Sequence, residues 1–166
     1  RGSTPLIKET SKIEFQYQRG DCRKYHVACK DCGFMQELKW DRFEWDLVDG
    51  TLDNDTVRYL CEKCKAPHYE HDKEKLFLSG KWVATKKPIE PGVRSYHLPA
   101  MYSPAGMAPW SKLAADYLDA FDPVTKKVKD IEKFQIFYNN VLGEPFEIMG
   151  AKVRFQQVSA HRSASY

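Results

Sequence analysis

Short runs of alternating apolar and polar residues dominate the first half of the chain. Alternation with a period of two places the apolar side chains on one face of an extended segment, so each run predicts a short strand. The predicted strands cover residues 25–27, 35–38, 57–60 and 81–84. Residues 93–102 are also aromatic and are expected to be extended, after breaks at Pro88, Pro91 and Gly92.

In the second half of the chain the apolar spacing becomes that of helices. Apolar residues at helical spacing between 113 and 121 predict a helix that has Pro109 at its first helical position and stops at Asp122-Pro123. A second helix is predicted from Asp130, a plausible N-cap, to Gly143, where a C-terminal cap belongs. Strands followed by helices predict an α+β fold, and the aromatic stripes of both helices are expected to form its core.

The composition is that of an ordinary folded protein of about one domain. The chain has 166 residues, of which 42% are hydrophobic and 30% charged, and this excludes a wholly disordered, coiled-coil or fibrous protein. No apolar stretch has the roughly 18–20 residues that a membrane span needs, and residues 1–5 lack the apolar run of a signal peptide. We therefore expect a cytoplasmic protein with no membrane partner.

Charge is distributed unevenly along the chain, although the formal net charge is only +3. Between residues 33 and 72 ten acids face five bases, which makes the segment between the two cysteine pairs a poor surface for a phosphate backbone. Residues 73–95, here called the basic stretch, contain six basic residues and only two acidic ones, Glu74 and Glu90. Its candidate DNA contacts are Lys81, Lys86, Lys87 and Arg94. The residues alone favour a solvated charged face, and contact with DNA is the alternative interpretation.

The five cysteines carry the strongest chemical signal. Cys29 and Cys32 form one C-x-x-C pair, and Cys61 and Cys64 form another, with 28 residues between the pairs. Two residues between cysteines let one tight turn direct both sulfurs at one ion, and two such turns complete a tetrahedron. With predicted strands beside each pair, the spacing predicts a zinc ribbon, in which β-hairpins hold one Zn²⁺. Four protein ligands leave no open position for a catalytic water, so a structural role is expected.

Other uses of the cysteines and of nearby histidines stay open on the sequence alone. Iron bound as in rubredoxin needs the same ligand spacing, and disulfides are a further alternative that the cytoplasm disfavours. His68 and His71 follow the second pair and could replace a sulfur, but we expect them to be surface histidines. Cys22 lies outside both pairs and is expected to be a small buried residue.

The motifs of nucleotide hydrolysis and of nucleophilic catalysis are missing from the sequence. The chain has no G-x-x-x-x-G-K-[ST] phosphate loop, so we expect no ATP hydrolysis by this segment alone. The acids between the cysteine pairs lie in a turn-rich stretch rather than at strand ends, which favours a solvated loop over a Mg²⁺ site. His97 is expected to be a buried histidine with satisfied hydrogen bonds. The sequence therefore predicts no catalytic residue in this segment.

Several short motifs follow one another in an order that is typical of one family. They are Ser3-Thr4-Pro5, Ser11-Lys12-Ile13, the two cysteine pairs with Gln36, Leu38 and Trp40 after the first, Gly80-Lys81-Trp82, Ser95-Tyr96-His97-Leu98 with Met101-Tyr102-Ser103-Pro104, and Asn139-Asn140-Val141-Leu142-Gly143-Glu144-Pro145. In this order they resemble the middle of the large subunit of tailed-phage terminases, in the lambda-like branch that carries a zinc ribbon. The chain departs from the family pattern at Lys30-Asp31, which replaces a proline-containing spacer, and at Lys65, where glycine is common.

The resemblance implies that the chain is one segment of a DNA-packaging motor. In the family an N-terminal ATPase drives the viral genome into a procapsid, and a C-terminal metal-dependent nuclease cuts the DNA concatemer. The implied divisions are the tail end of the ATPase at 1–20, a zinc ribbon with an acidic insert at 21–80, a small helical linker subdomain at 81–146 and a lead-in to the nuclease at 147–166. Ser3, Thr4 and Pro5 would form the coupling motif of the ATPase, and only the parent protein would bind ATP and Mg²⁺.

The resemblance also implies the partners of the parent protein. They are viral double-stranded DNA, the terminase small subunit, the portal of the procapsid and other copies of the large subunit, all in the cytoplasm of the infected bacterial host. Two other functions remain as alternatives. One is a free-standing zinc-ribbon adaptor that binds nucleic acid or protein, and the other is an iron–sulfur redox module.

Overall fold

The computed structural model of the chain describes residues 2–8 and 10–147, with most of the strands in the first half and the longest helix in the second. The strands are β1 (Arg23–Ala28), β2 (Met35–Glu37), β3 (Phe43–Glu44), β4 (Leu47–Val48), β5 (Thr51–Leu52), β6 (Arg58–Leu60), β7 (Pro67–Tyr69), β8 (Lys81–Val83), β9 (Tyr96–His97), β10 (Phe121–Asp122) and β11 (Lys127–Val128). The helices are α1 (Lys12–Arg19), α2 (Lys73–Leu78), α3 (Trp110–Ala120) and α4 (Ile131–Ile136). Helix α4 continues directly into a π-helical segment at Phe137–Leu142.

A mixed four-stranded sheet is built around β1. Strands β2 and β8 pair antiparallel with β1, and β9 pairs parallel with its first two residues, Arg23 and Lys24. Val27 of β1 is fully buried, so one face of this sheet lies on the core. The sheet therefore joins strands that precede the second cysteine pair to strands that follow it.

A second, three-stranded sheet holds the other cysteine pair. Its strands β3, β6 and β7 are antiparallel, in the order β3-β6-β7. Between β3 and β6 the acidic insert forms the small β4-β5 hairpin, which turns at Asp49 and Gly50. Both turn residues have positive φ, 50° and 78°, as a two-residue hairpin turn requires. Arg58 of β6 forms ion pairs with Glu44 and Asp46 and so offsets part of the charge of the insert.

Helices α3 and α4 and the segments around them close the core. Trp110 at the start of α3 is fully buried, and its ring meets that of Phe43 edge to face at 5.1 Å between centroids. Phe137, where the π-helical segment begins, packs on Trp40 at 4.9 Å. Both sheets and the helical segments thus contribute to one hydrophobic cluster. None of the described helices is long and apolar enough to span a membrane.

The N-terminal segment lies beside the last described residues. The backbone N–H of Phe146 donates to the carbonyl of Leu6 at 2.9 Å, and the N–H of Lys8 donates to the carbonyl of Phe146 at 3.0 Å. Ile7 and Phe146 thereby form an isolated parallel β-bridge. Phe146 itself is buried, so the two ends of the described chain are held together by packing as well as by hydrogen bonds.

Most of the predicted elements are confirmed, with differences at their ends. The four predicted strands form as β1, β2, β6 and β8, and Asp130 caps α4 by accepting two backbone N–H groups. Gly143 adopts the left-handed conformation expected of a C-terminal cap, with φ 66°. The prediction for Pro109 is wrong, because it is the N-cap of α3 and the helix begins at Trp110. Phe121 leaves the helix and starts the β10-β11 hairpin instead.

The predicted extended stretch at 93–102 is only partly extended. Within it, strand β9 is two residues long, and a 3-10 turn forms at Ala100–Tyr102. The turn buries Met101 and Tyr102, and the Tyr102 hydroxyl donates to the carbonyl of Tyr25 while it accepts the N–H of Leu38. These buried contacts favour a turn over a continued strand.

Candidate metal centre

Each cysteine pair lies in a tight turn between two strands of one sheet. Cys29 directly follows β1 and its N–H donates to the carbonyl of Phe34 at 2.9 Å; Cys61 directly follows β6 and its N–H donates to that of Ala66 at 3.0 Å. Gly33, after the first pair, has φ 67°, and Lys65, after the second, has φ 62°. Lysine therefore adopts the left-handed conformation that glycine usually supplies, and the two turns share this backbone feature despite the departure from the family pattern.

The four sulfurs of these turns converge on one point. The Sγ atoms of Cys29 and Cys64 are 3.6 Å apart, and those of Cys32 and Cys61 are 3.7 Å apart. All four lie within 4.8 Å of one another. A tetrahedral zinc site with Zn–S bonds of about 2.3 Å has sulfurs about 3.8 Å apart, so the spacing fits one such ion. Cys29 and Cys61 are buried, whereas Cys32 and Cys64 are exposed.

The chemistry of this donor set also suits zinc. None of the four cysteines is in a disulfide, since the sulfur pairs at 3.6 and 3.7 Å are too far apart for a bond of about 2.05 Å. Thiolates are soft ligands that favour Zn²⁺ and iron–sulfur chemistry over Mg²⁺ or Ca²⁺. Four of them complete a tetrahedral coordination shell, so the described residues fit a structural metal site with no open coordination position.

Burial and backbone N–H groups act in opposite directions on the metal-free thiols. Burial raises the pKa of Cys29 from its ordinary 9.0 to about 12, although the backbone N–H groups of Cys32 and Asp31 oppose the rise. Burial also acts to raise the pKa of Cys61, but the backbone N–H groups of Cys64 and Lys63 outweigh it and lower the pKa to about 6. Because a thiol must lose its proton to bind metal, ion binding releases the protons that remain.

Two lysine side chains beside the four cysteines form hydrogen bonds with other protein groups. The Lys30 ammonium donates to Asp72 at 2.7 Å, and that of Lys65 donates to the carbonyl of Glu62 at 3.1 Å. Asp72 also accepts the N–H of Tyr69 at 2.9 Å, so it links the turn of the first pair to the strand after the second. This contact ties the two halves of the metal centre together independently of an ion.

The structure separates the two histidines that follow the second cysteine pair. The prediction of a surface position is confirmed for His71, whose side chain is 77% exposed. It is wrong for His68, which is fully buried and has a ring nitrogen within 4.8 Å of the Cys29 sulfur and of an Asp31 carboxylate oxygen. The signal that could have revealed this burial is the strand after the second cysteine pair. In that strand, β7, His68 pairs with the buried Tyr59 of β6. Cys22 is buried outside the cluster, as predicted.

The three residues of the predicted coupling motif lie at the N-terminal segment. Ser3 and Thr4 are exposed, and Pro5 is buried. Ser3 and Pro5 line a cavity of about 170 Å³ together with Tyr17 and His97. The role of the motif in an ATPase stays a prediction.

The prediction that His97 is buried and has satisfied hydrogen bonds is confirmed only in part. It is half-buried, and burial lowers its pKa, which keeps the ring neutral at pH 7. Its Nε2 lies 2.9 Å from the carbonyl oxygen of Leu142, to which a ring N–H at that position donates. Its Nδ1 has no hydrogen-bond partner within the described part of the chain.

The four candidate DNA-contact residues have side chains on the surface. Lys81, Lys86, Lys87 and Arg94 are exposed. The Lys86 ammonium is engaged by the carbonyl and the side-chain oxygen of Gln18, at 2.6 and 2.9 Å. Across residues 2–8 and 10–147, Lys81, Lys87 and Arg94 form no ion pair. Their contact with DNA stays a prediction.

Two family models match adjoining parts of the chain. The model described as the ATPase domain of phage terminase large subunit gpA matches residues 1–82, and the one described as the endonuclease domain of terminase large subunit gpA matches residues 93–166. Both models describe one class of protein, the large subunits of phage terminases, and the chain belongs to that family.

A curated relative agrees with the family models. The large subunit of the terminase of Escherichia phage lambda is 27% identical to this chain. The alignment has 188 positions, gaps included, and covers the whole of the chain. The chain spans about a quarter of that relative, 27% of its length. No solved structure matches the chain. The matched regions leave residues 83–92 between them. Strand β8, which ends at the first of these residues, and β9, which follows them, both pair with β1.

Proposed function

We propose that this chain is the central segment of a phage terminase large subunit, where it holds a structural zinc ion and joins the ATPase to the nuclease. The observation that carries the proposal is that four cysteine sulfurs with the spacing of a zinc site lie within a chain matched by both domain models. These matches favour the terminase segment over a free-standing adaptor. The parent protein would package viral DNA by ATP hydrolysis and cut it, in the cytoplasm of the infected host.

The zinc ion would stabilise the fold rather than take part in a reaction. Cys29, Cys32, Cys61 and Cys64 would hold it, and the bound ion would add a further link between the two sheets that carry these residues. In small zinc domains such binding contributes on the order of 10–16 kcal/mol to folding. The four-sulfur shell leaves no position for a reacting water, which supports a structural role.

Removal of one exposed ligand tests the zinc proposal. Cys32→Ser changes little packing because Cys32 is exposed. We expect it to lower the zinc content of the purified chain below one ion, to lower the melting temperature and to abolish the effect of a chelator on that temperature. Cys22→Ser is the matched control, because Cys22 lies outside the cluster, and it should keep one zinc per chain. A wild-type melting curve that a chelator leaves unchanged would refute a structural zinc.

We also propose that the segment has no catalytic activity of its own. The sequence contains no phosphate loop, which supports dependence on the parent protein for ATP and Mg²⁺. Ser3, Thr4 and Pro5 would couple the nucleotide state to the rest of the motor only in the intact subunit. The isolated chain should neither hydrolyse ATP nor cut DNA with Mg²⁺, as measured by phosphate release and by gel assay against the full subunit. Robust activity of the chain alone would show that the proposed boundaries are wrong.

DNA contact through the basic stretch is the third part of the proposal. Lys81, Lys87 and Arg94 are supported as contacts because they are exposed and lack ion pairs in the described residues. Lys86 is less suitable, because its ammonium is held by Gln18. The parent protein would also bind the small subunit, the portal and further copies of the large subunit, either through this segment or through its other domains.

A pair of charge-matched double variants tests the DNA contact. Lys87→Ala with Arg94→Ala should weaken binding to double-stranded DNA and lower the salt dependence of the affinity by about two counterions. Lys112→Ala with Lys133→Ala removes the same charge at residues that pair with Asp116 and Asp119, and should have a smaller effect. Fluorescence anisotropy at several salt concentrations measures both. Equal binding by the two double variants would assign the basic stretch to a solvated face.

A further inference from the structure

His68 is a buried polar side chain without a partner. Its relative exposure is 0%, and neither ring nitrogen has a hydrogen-bond partner among the described residues. A neutral imidazole carries one N–H donor and one acceptor nitrogen, and a buried donor that forms no hydrogen bond costs free energy. The buried ring therefore has an N–H donor that none of the described residues accepts.

The strand register directs His68 towards the metal centre. His68 pairs with Tyr59 across β6 and β7, and Cys61 lies two residues beyond Tyr59, on the same face of this hairpin. The His68 ring stacks on the Tyr59 ring, with 6.4 Å between centroids and 29° between planes. This stacking holds the imidazole in place, with a nitrogen within 4.8 Å of the Cys29 sulfur and of an Asp31 carboxylate oxygen.

Of these two neighbours, the sulfur has the greater need for a donor. Asp31 is exposed, so water can solvate its carboxylate. Cys29 is 2% exposed, and the Asp31 N–H donates to its sulfur at 3.4 Å. Four thiolates on one Zn²⁺ carry a net charge of −2, which a buried sulfur cannot share with water. The backbone N–H of Cys32 also stabilises the Cys29 thiolate, and a side-chain donor would add to these two contacts.

We propose that His68 is a positioning residue of the metal centre, whose ring N–H donates a hydrogen bond to the Cys29 thiolate when the four cysteines hold the ion. His68 is not itself a ligand, because the four sulfurs already complete the tetrahedron. The hydrogen bond fixes the orientation of Cys29 and slows loss of the metal. The inference rests on the proposed zinc site.

Three single variants separate the hydrogen bond from simple packing. His68→Phe keeps a ring on Tyr59 but removes the N–H, His68→Gln keeps an N–H donor, and His71→Phe is the control at an exposed histidine. Zinc affinity is measured on the purified chain by competition with a chromophoric chelator. We expect His68→Phe to weaken zinc binding 10–100-fold, the usual effect of losing an outer-shell partner, His68→Gln to restore most of it, and His71→Phe to leave it unchanged.

Cobalt substitution gives a second measurement that a packing role would not change. With Co²⁺ in the wild-type site, the absorption bands should be those of four sulfur ligands, and His68→Phe should shift the sulfur-to-cobalt charge-transfer band without changing the number of sulfurs. His68→Gln should leave that band near the wild-type position. Because the spectrum is read from the metal-bound chain alone, it remains informative if one variant is less stable and its apparent affinity falls for that reason.

Four results would overturn the inference. The first two are equal zinc affinity of the wild type and His68→Phe, and failure of His68→Gln to bind zinc better than His68→Phe. The third is a wild-type cobalt spectrum with nitrogen among the ligands. The fourth is two zinc ions per chain by native mass spectrometry, which would make Cys29, Asp31 and His68 a second metal site. A wild-type chain that binds no zinc would overturn the proposed metal site as well, whereas a zinc-bound chain indifferent to His68→Phe would overturn this inference alone.

Discussion

Gly80 lies against the ring of Tyr25, at the point where α2 gives way to β8. A Cβ at position 80 would overlap the ring and hydroxyl of Tyr25. The ring cannot easily move, because its hydroxyl donates to the carbonyl of Phe77 at 2.8 Å and the tilted ring of Trp82 packs on it at 5.0 Å between centroids. The glycine of the motif Gly80-Lys81-Trp82 is therefore required by this close contact.

Replacement of this glycine should destabilise the fold. Gly80→Ala forces Tyr25 or the β8 backbone to shift, and overpacking of this kind costs about 1–3 kcal/mol. The free energy of unfolding in urea measures the effect with zinc present. Gly2→Ala is the control, because a Cβ there meets no atom within 4 Å. If both alanine variants matched the wild type, Tyr25 would have to be free to move.

Asp72 makes stability depend on pH through the contacts that join the cysteine turns. Burial acts to raise the pKa of Asp72, but the Lys30 ammonium and the N–H of Tyr69 outweigh it and lower the pKa below its ordinary value of 3.8. The carboxylate therefore stabilises the folded state above about pH 4, and this contribution is lost as the pH falls through the lower folded pKa.

The variant Asp72→Asn isolates this contribution. At pH 7 it should lower the free energy of unfolding by about 1 kcal/mol, since Lys30 is partly exposed and solvent weakens the pair. The difference between the wild type and the variant should narrow as the pH falls below about 4, where the wild-type carboxylate becomes protonated. The proposed zinc would be lost at low pH from both proteins alike, so taking the difference in unfolding free energy at each pH cancels that effect. A gap that stays constant down to pH 2 would contradict the role of the charge.

At the scale of elements, one buried lysine joins helix α2 to helix α3. Lys73 is 1% exposed, and its ammonium donates to the carbonyl of Ala108 at 2.8 Å and pairs with Glu70 at 2.9 Å. The other carboxylate oxygen of Glu70 accepts the N–H of Trp110 at 2.8 Å, where α3 begins. Burial lowers the pKa of Lys73, while Glu70 opposes this and helps to keep it charged. The segment after the cysteine pairs is thus fixed to the helical part of the core.

Truncation of this lysine should weaken the docking of the two helices. Lys73→Ala leaves a cavity beside Trp110 and an unpaired carbonyl at Ala108, and we expect a loss of about 3–5 kcal/mol. Lys73→Met fills the volume without the charge and should lose less. Guanidinium unfolding monitored by tryptophan fluorescence compares the two. Equal losses for alanine and methionine would assign the whole effect to the ion pair rather than to packing.

Elements with a strong local pattern were predictable, and those fixed by tertiary contacts were not. The strands beside the cysteines and helices α3 and α4 follow from alternation, helical spacing and the cap at Asp130. Helix α1 has only eight residues and none of them is buried, so its apolar pattern is too short to distinguish a helix in the sequence. Helix α2 has six residues and depends on the buried contacts of Lys73 and Leu76. In the metal centre the four sulfurs follow from spacing alone, but the burial of His68 depends on strand pairing.

At the scale of the whole molecule, Phe146 closes the fold against the N-terminal segment. Its side chain is 6% exposed and packs on Phe134 and Tyr138 at 6.2 and 5.9 Å between centroids. Its backbone exchanges hydrogen bonds with Leu6 and Lys8. The regions matched by the ATPase and endonuclease models therefore contact each other at this bridge as well as in the β1 sheet.

Loss of this ring should open the bridge. Phe146→Ala removes a buried ring, which costs about 3–5 kcal/mol in general, and should raise hydrogen exchange at the amides of Lys8 and Phe146 before that of β1. Hydrogen–deuterium exchange with mass spectrometry resolves these segments. Phe15→Ala is the matched control, because Phe15 is 66% exposed and should change exchange little. Unchanged protection of residues 6–8 in Phe146→Ala would show that the backbone contacts do not need the ring.

The parallel bridge between Ile7 and Phe146 has a mechanical consequence. Tension applied between residue 2 and residue 147 would pull the two paired segments in opposite directions along their length, so that the two hydrogen bonds of the bridge are loaded in shear. Everything between residues 8 and 146, the four cysteines included, forms a loop that carries no force until those bonds yield. A metal centre placed in such a loop is shielded from strain on the chain that passes it.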